Sequence, residues 1–117
     1  MTAEKLIDTI VEGAQDKKAR NVCVVDLSSI ETAPCAAFVL ATGGSPQQVE
    51  AIAESVGEFC RKIGEKPTAV VGLTNAQWVA MDYGEVMVHV FLPAEREFYD
   101  LEHLWDDAAL QQIPDLD

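Results

Sequence analysis

The segment from Trp78 to Phe91 constrains the fold of this 117-residue chain most, because it predicts a tight β-hairpin. The turn falls at Tyr83-Gly84 or at Gly84-Glu85. Alternate residues of a strand share a face, so either turn sorts the side chains in the same way. One face is an ordinary core face, made of Val79, Met81, Tyr83, Val86, Val88 and Val90. The other, here called the mixed face, carries Trp78, Ala80, Asp82, Met87, His89 and Phe91.

The mixed face combines aromatic rings, a thioether, an imidazole and a carboxylate, which is typical of a surface that meets another molecule. Asp82 and His89 would be costly on a dry face without partners. We therefore expect this face to stay open to solvent in the free protein. A core position is the alternative for Trp78, since aromatic residues in strands are usually buried.

Composition limits the classes of partner. Apolar residues make up 49% of the chain, enough for one folded domain, and 20 acids against 8 bases give a net charge of −12. Such a charge repels phosphate backbones and attracts basic proteins. Eight carboxylates lie between residues 95 and 117, where they form either a solvated helix face or a surface that steers a basic partner.

The apolar runs are too short to span a membrane, and the N-terminus lacks the features of a secretory signal or a transit peptide. We therefore expect a cytoplasmic protein without membrane contact. Cys23, Cys35 and Cys60 are odd in number and show no C-x-x-C spacing, so we interpret them as small buried hydrophobic residues.

Periodicity along the chain predicts an α/β domain with a mixed, mostly five-stranded sheet and flanking helices. The predicted order is helix, two strands, helix, three strands, helix. The first helix carries apolar residues from Leu6 to Ala14 behind a possible Thr2 cap, and the last follows Pro93 with Phe98, Leu101 and Leu104 or Trp105. We assign residues 1–108 to the domain and residues 109–117 to an acidic, flexible tail.

The strand Phe38–Thr42 ends in Gly43-Gly44, and Ser45 then begins a helix as its N-cap, with Pro46 at the first position and Gln48 completing a capping box. This arrangement is also typical of nucleotidyltransferases, where such a turn holds phosphate. Those enzymes need an Asp-x-Asp pair on a neighbouring strand for their metal, and the chain has that spelling only at Asp115-Leu-Asp117. We favour a structural turn.

Other catalytic groupings have little support. A Cys35–His89–Asp82 arrangement is conceivable but has no local signature. His89 and His103 are too few for an ordinary zinc site. We therefore predict no catalytic residues, metal or cofactor.

Several motifs in their order and spacing resemble the ribosomal silencing factor (RsfS, Iojap-related) family. They are Phe38-Val-Leu-Ala-Thr-Gly43, Ser45 with Gln48-Val-x-Ala-Ile52, Gly72, Trp78-Val-x-x-Asp82-Tyr-Gly84, Val88-His-Val-Phe91 and Arg96-x-Phe-Tyr-x-Leu-Glu102-x-Leu-Trp105. The resemblance implies a nucleotidyltransferase-like fold without catalytic carboxylates. It implies a non-enzymatic translational repressor that binds the fourteenth protein of the large ribosomal subunit and blocks joining of the small subunit. It also implies a possible homodimer.

Two positions depart from the family pattern. Ala36-Ala37 stand where the family usually has Asp-Tyr, and Val71-Gly72 where it usually has Glu-Gly. We assign no binding role to residues 36, 37 or 71.

The predicted partner-binding surface belongs to the mixed face and its turn. Trp78, Met87 and Phe91 are the predicted apolar contacts, Asp82 and His89 the polar ones, and Glu85 and Arg96 the rim, with Tyr83 and Gly84 at the turn. Two alternatives remain: a large-subunit assembly factor that silences nothing, and a nucleotide-binding or nucleotidyl-transferring enzyme that uses Gly43-Gly44-Ser45.

Overall fold

A computed structural model describes residues 3–105 and 108–115. These residues form one six-stranded sheet with three α-helices. The elements are α1 (Ala3–Asp16), β1 (Arg20–Asp26), β2 (Ala37–Thr42), α2 (Pro46–Lys62), β3 (Ala69–Val71), β4 (Trp78–Asp82), β5 (Val86–Phe91), α3 (Pro93–Tyr99), a 3-10 turn (Leu101–His103) and β6 (Ala109–Gln112). The strand order is β3-β4-β5-β2-β1-β6, with β2 and β5 parallel and all other neighbours antiparallel. The predicted α/β class with a mixed sheet is confirmed.

The helices α1 and α2 cover one face of the sheet. The apolar stripe of each helix follows the 3.6-residue period, so Leu6, Ile10 and Ala14 of α1 point into the same core as Val49, Ile52 and Val56 of α2. The sheet contributes alternate residues to this core, including the predicted core face of the hairpin. Each fully buried aliphatic side chain of this kind contributes about 1.5–3 kcal/mol.

A second, smaller core covers the opposite face of the sheet. Cys23, Val25, Leu27, Phe38, Leu40 and Phe91 form its buried centre. Leu101 and Trp105, from the segment after α3, pack against it, as do Ile30 and Ala33 from the connection between β1 and β2. The sheet is therefore covered on both sides, and one cover is an irregular segment rather than a helix.

The start of α2 largely follows the prediction. The Ser45 hydroxyl accepts a hydrogen bond from the Gln48 backbone N–H at 3.1 Å, and Pro46 occupies the first turn. The Gln48 side chain does not complete the capping box at Ser45: its oxygen accepts instead from the Gly44 N–H at 2.7 Å. The predicted Thr2 cap of α1 lies outside the described residues.

The C-terminal region differs most from the prediction. The sheet has six strands rather than five, because Ala109–Gln112 pairs with β1 where we expected a flexible tail. Ile113 continues this attachment, since its N–H donates to the Val22 carbonyl at 2.8 Å, and Gln15 donates to the Pro114 carbonyl. The last helix is shorter than expected and ends at Tyr99, leaving Leu104 exposed.

Two further expectations concern membranes and cysteines. No helix among residues 3–105 and 108–115 combines the length and apolar character needed to cross a membrane. All three cysteines are free; Cys23 and Cys60 are buried and Cys35 is half-buried. Burial raises the pKa of each thiol, so they behave as the small hydrophobic residues we predicted.

Candidate functional site

The hairpin turns at Gly84-Glu85, the second of the two predicted positions. Asp82 lies opposite Met87, and Tyr83 N–H donates to the Val86 carbonyl at 2.9 Å. Gly84 has a φ of 86°, which is the region that favours glycine. Its N–H donates to Asp82 Oδ1 at 2.8 Å, so Asp82 stabilises the turn of its own hairpin.

The sorting of side chains is confirmed, but the expected exposure of the mixed face is wrong. Trp78 pairs with Phe91 and Ala80 with His89, so these side chains do share a face. However, Phe91 is 0% and His89 5% exposed, because the mixed face packs into the second core beneath Leu101 and Trp105. Trp78, Asp82 and Met87 are half-buried. Phe91 therefore offers no surface for direct contact with a partner.

Two other predicted contact residues are also buried. Tyr83 lies in the core beneath α1 and α2, where burial and the neighbouring Cys60 raise the pKa of its hydroxyl. Arg96, expected at the rim, is 8% exposed. Only Gly84 and Glu85, at the tip of the hairpin, are exposed as the prediction requires.

Arg96 is a structural clamp. Its Nε donates to Glu102 Oε1 at 3.0 Å and its Nη1 to Thr42 Oγ1 at 2.8 Å and to the Asn21 carbonyl. One guanidinium thus connects β1, β2, α3 and the 3-10 turn. A buried cation needs such partners, since an unpaired one would be strongly destabilising.

His89 is a buried, neutral imidazole. Trp78 Nε1–H donates to His89 Nδ1 at 3.0 Å, and burial lowers the pKa of His89 to about 4. An accepting Nδ1 means that the proton of the neutral ring is on Nε2. Within the described part of the chain, this buried Nε2 has no hydrogen-bond partner.

Trp78 also borders an open cavity of about 540 Å³ beside the start of β4, here called the aromatic cleft. Its lining residues are Gly72, Asn75, Gln77, Trp78, Ala94, Glu95, Phe98 and Tyr99. The rings of Trp78 and Tyr99 are 4.4 Å apart, and Phe98 meets Tyr99 edge-on at 5.0 Å. Phe98 is 80% exposed, which is unusual for an aromatic side chain of this size.

Sequence reasoning placed Phe98 on the buried side of a longer last helix and gave Tyr99 no individual role. The signal that identifies them is their adjacency to the helix end: only one of two neighbouring helical residues can face the core, and α3 ends at Tyr99. Both rings line the cleft, and Tyr99 packs against Trp78 there.

Gly72 determines the other wall of the cleft. Its φ is 92°, and a Cβ at this position would lie 2.0 Å from the Trp78 carbonyl oxygen. Only glycine permits this approach of the 72–76 loop to the start of β4. The loop then closes with the Ala76 N–H donating to the Gly72 carbonyl at 2.9 Å.

Three polar groups of the Gly43-Gly44-Ser45 turn are hydrogen-bonded within the chain. Gly43 N–H donates to the Phe91 carbonyl at 3.1 Å, Gly44 N–H to Gln48, and the Ser45 hydroxyl caps α2. A phosphate would have to displace these contacts. No group of three or more His, Cys, Asp or Glu residues in the described ranges is arranged to hold a metal ion.

The fold and the cleft define a class: a small, single-domain, mixed α/β protein with a cluster of exposed aromatic rings beside the start of β4. The family model described as ribosomal silencing factor during starvation, RsfS, matches residues 1–117. The chain therefore belongs to the RsfS family.

Individual relatives agree with this assignment. The ribosomal silencing factor RsfS of Halalkalibacterium halodurans is 35% identical over 113 residues, which cover 97% of this chain and 96% of the relative. That of Bacillus subtilis is 32% identical, with 97% and 95% covered. A crystal structure of a protein from Chromobacterium violaceum superposes with a TM-score of 0.86 at 34% identity, covering 91% of this chain and 88% of that one.

Proposed function

We propose that this protein silences translation by binding a basic protein on the joining face of the large ribosomal subunit, where it sterically prevents association with the small subunit. The observation that carries the proposal is the exposed aromatic cleft, on a chain that belongs to the silencing-factor family. Steric silencing needs occupancy of a surface and no chemical step. The proposal is therefore compatible with a fold in which the buried side chains of Arg96 and His89 make contacts within the chain.

The chemistry of the cleft suits a Lys or Arg side chain of the partner. Trp78, Phe98 and Tyr99 present aromatic rings, and Glu95 adds a carboxylate at the same cavity. A cation over an aromatic face gains about 0.5–2 kcal/mol, depending on how much water is excluded. The net charge of −12 favours the encounter with a basic surface.

The cleft alone is smaller than a stable interface, which buries roughly 800 Å² on each partner. Exposed apolar residues beside it extend the surface: Leu73, in the loop after β3, and Val71 at the end of β3, to which the sequence alone gave no binding role. Glu85 is exposed at the tip of the hairpin, but it lies at the opposite end of β4 from Trp78 and therefore away from the cleft. Val71 and Leu73 replace Phe91 and Arg96 of the sequence-based site.

The test is the affinity for the purified fourteenth protein of the large subunit, measured by calorimetry for two matched variants. Phe98→Ala removes a ring that is 80% exposed, so we expect folding to be unchanged and affinity to fall by about tenfold or more. Leu110→Ala is the control: Leu110 is 42% exposed but belongs to β6 at the opposite edge of the sheet, and this variant should bind like the unmodified protein.

Subunit joining is measured separately on sucrose gradients. We expect the protein to reduce the peak of joined ribosomes and Phe98→Ala to restore it. Unchanged binding by Phe98→Ala contradicts the assignment of the cleft. Binding without any effect on joining contradicts steric silencing and favours an assembly factor.

Self-association stays a prediction of the family resemblance. Two copies with a charge of −12 repel each other, so a homodimer has to gain more from apolar contact than it loses electrostatically. Sedimentation at low and high salt measures the balance: a dimer held by the cleft should be favoured by salt and weakened in Phe98→Ala.

A further inference from the structure

Trp78 occupies two environments at once. One part of its indole lines the aromatic cleft beside Tyr99, and the other reaches inward to the second core. Its ring contacts are tilted rather than stacked, with an interplanar angle of 34° to Phe91 and 44° to Tyr99. These ring contacts do not engage the indole N–H, which usually finds a hydrogen-bond acceptor when it is buried.

The directional contact of the indole is the hydrogen bond from Trp78 Nε1–H to His89 Nδ1, at 3.0 Å. His89 is itself fixed, because its ring is 5% exposed and meets the Phe38 ring edge-on at 4.9 Å. The Trp78 and His89 side chains lie on the same face of neighbouring antiparallel strands, two residues apart along the ladder. The geometry therefore connects a buried imidazole to the wall of an exposed cleft.

The position of the imidazole is costly in isolation. Its Nε2 is buried and lacks a hydrogen-bond partner in the described part of the chain, and an apolar ring of similar size would avoid that cost. The feature that histidine offers and phenylalanine lacks is an acceptor at Nδ1. That acceptor is directed at Trp78.

We propose that His89 is a positioning residue: its Nδ1 fixes the rotation of the Trp78 indole and thereby shapes the wall of the aromatic cleft that receives the partner's cationic side chain. This inference rests on the proposed function for its consequence in binding. Its structural part, the fixed indole, is independent of any partner.

The experiment compares three proteins: unmodified, His89→Phe and His89→Asn. Phenylalanine keeps ring shape without an acceptor, whereas the asparagine amide oxygen can reach the position of Nδ1. NMR of the Trp78 indole N–H, in protein labelled with 15N, reports the hydrogen bond directly. We expect His89→Phe to shift this resonance and to speed its exchange with solvent, and His89→Asn to restore both in part. An unchanged indole resonance in His89→Phe overturns the inference.

Binding to the purified large-subunit protein gives the second readout. We expect His89→Phe to lower affinity by about three- to tenfold, the equivalent of one neutral hydrogen bond. The loss should disappear in a Trp78→Phe background, where no indole N–H remains. An equal loss in both backgrounds means that His89 only stabilises the fold, and overturns the positioning role.

The two proposals fail in different ways. If the unmodified protein does not bind the large-subunit protein, the proposed function fails while the indole resonance still decides whether His89 orients Trp78. If His89→Phe does not fold, both measurements are made on His89→Asn. An indole resonance and an affinity close to those of the unmodified protein support the inference. A loss of affinity as large as that of Trp78→Phe overturns it.

Discussion

At the scale of single residues, two buried polar side chains are tied to partners on other elements. His89 accepts from Trp78, and Arg96 donates to three oxygens that come from β1, β2 and the 3-10 turn. Burial disfavours the charged form of an imidazole, so His89 is neutral at ordinary pH. That state makes stability depend on pH.

We predict that the protein loses stability as pH falls from about 6.5 towards 4. The pKa of His89 is about 4 in the folded protein, against 6.5 for an exposed histidine, so the unfolded chain binds the proton more tightly. Stability is therefore complete above pH 6.5 and decreases below it, by up to on the order of 3 kcal/mol. Urea unfolding at a series of pH values measures this effect.

The control separates His89 from the other histidine. Asp100 raises the pKa of His103, so this exposed residue acts in the opposite direction. His103→Gln should keep the loss of stability between pH 6.5 and 5, and His89→Phe should remove it. A flat profile for the unmodified protein over this range contradicts a buried neutral imidazole.

At the scale of elements, the segment after β5 determines what the mixed face does. The helix α3 is only seven residues long, and Asp100 then adopts a φ of 46° that redirects the chain into the 3-10 turn. The turn brings Leu101 and Trp105 over the second core. Arg96 and Glu102 connect the helix to the turn, so their ion pair holds this cover in place.

We predict that Arg96→Ala destabilises the protein by about 3 kcal/mol, because it leaves Glu102 as a nearly buried carboxylate without its cation and removes donors from Thr42 and Asn21. Chemical denaturation measures the change. Arg20→Ala is the control, since its ion pair with Asp115 is solvent-exposed and should contribute less than about 1 kcal/mol. Similar effects of the two variants would contradict the clamp.

We predict that truncation after residue 108 lowers the unfolding midpoint and increases aggregation. The truncation removes β6 and exposes the edge of β1, whose residues Val22–Val25 are apolar and buried. Hydrogen exchange of the β1 amides should accelerate in the truncated protein. Leu110→Ala retains the strand and should leave exchange unchanged, while slow β1 exchange after truncation would mean that β6 protects nothing.

At the scale of the whole molecule, surface charge and the aromatic cleft are expected to affect different steps of binding. The net charge of −12 acts over roughly 8–10 Å at physiological ionic strength and affects encounter, whereas the aromatic rings act in contact. Affinity and association rate are therefore expected to respond to different changes.

We predict that the association rate with the basic large-subunit protein falls several-fold between about 50 and 300 mM salt, while dissociation changes little. Surface plasmon resonance or stopped flow measures both rates. Phe98→Ala should show the complementary pattern, with faster dissociation and the same dependence of association on salt. Salt-independent association would argue against electrostatic steering.

The sequence predicted the parts of this fold that depend on local periodicity. The two-residue repeat of a strand assigned each hairpin side chain to its face. The 3.6-residue repeat, together with Ser45 and Pro46, located α2. Both patterns are properties of a single element and can be read locally. The strand β6 was missed for the opposite reason. Ala109–Gln112 has no strong strand pattern, and its conformation comes from pairing with β1 more than eighty residues away.

The exposure of the site residues was also beyond local reasoning. The alternation showed that Trp78, His89 and Phe91 share a face. Whether solvent reaches that face depends on where the later residues Leu101 and Trp105 pack. In the same way, the charge of Arg96 suggested a position on the surface. Its burial is possible because Asn21, Thr42 and Glu102 supply oxygens that accept its hydrogen bonds.

The amino-acid sequence by itself thus determined the class of fold, the two faces of the hairpin and the family, since these follow from local spacing and side-chain chemistry. The tertiary structure alone decided which aromatic rings remain exposed. A side chain is buried by whichever residues cover it, and here the covering residues and the exposed Phe98 and Tyr99 belong to a C-terminal segment positioned by long-range contacts.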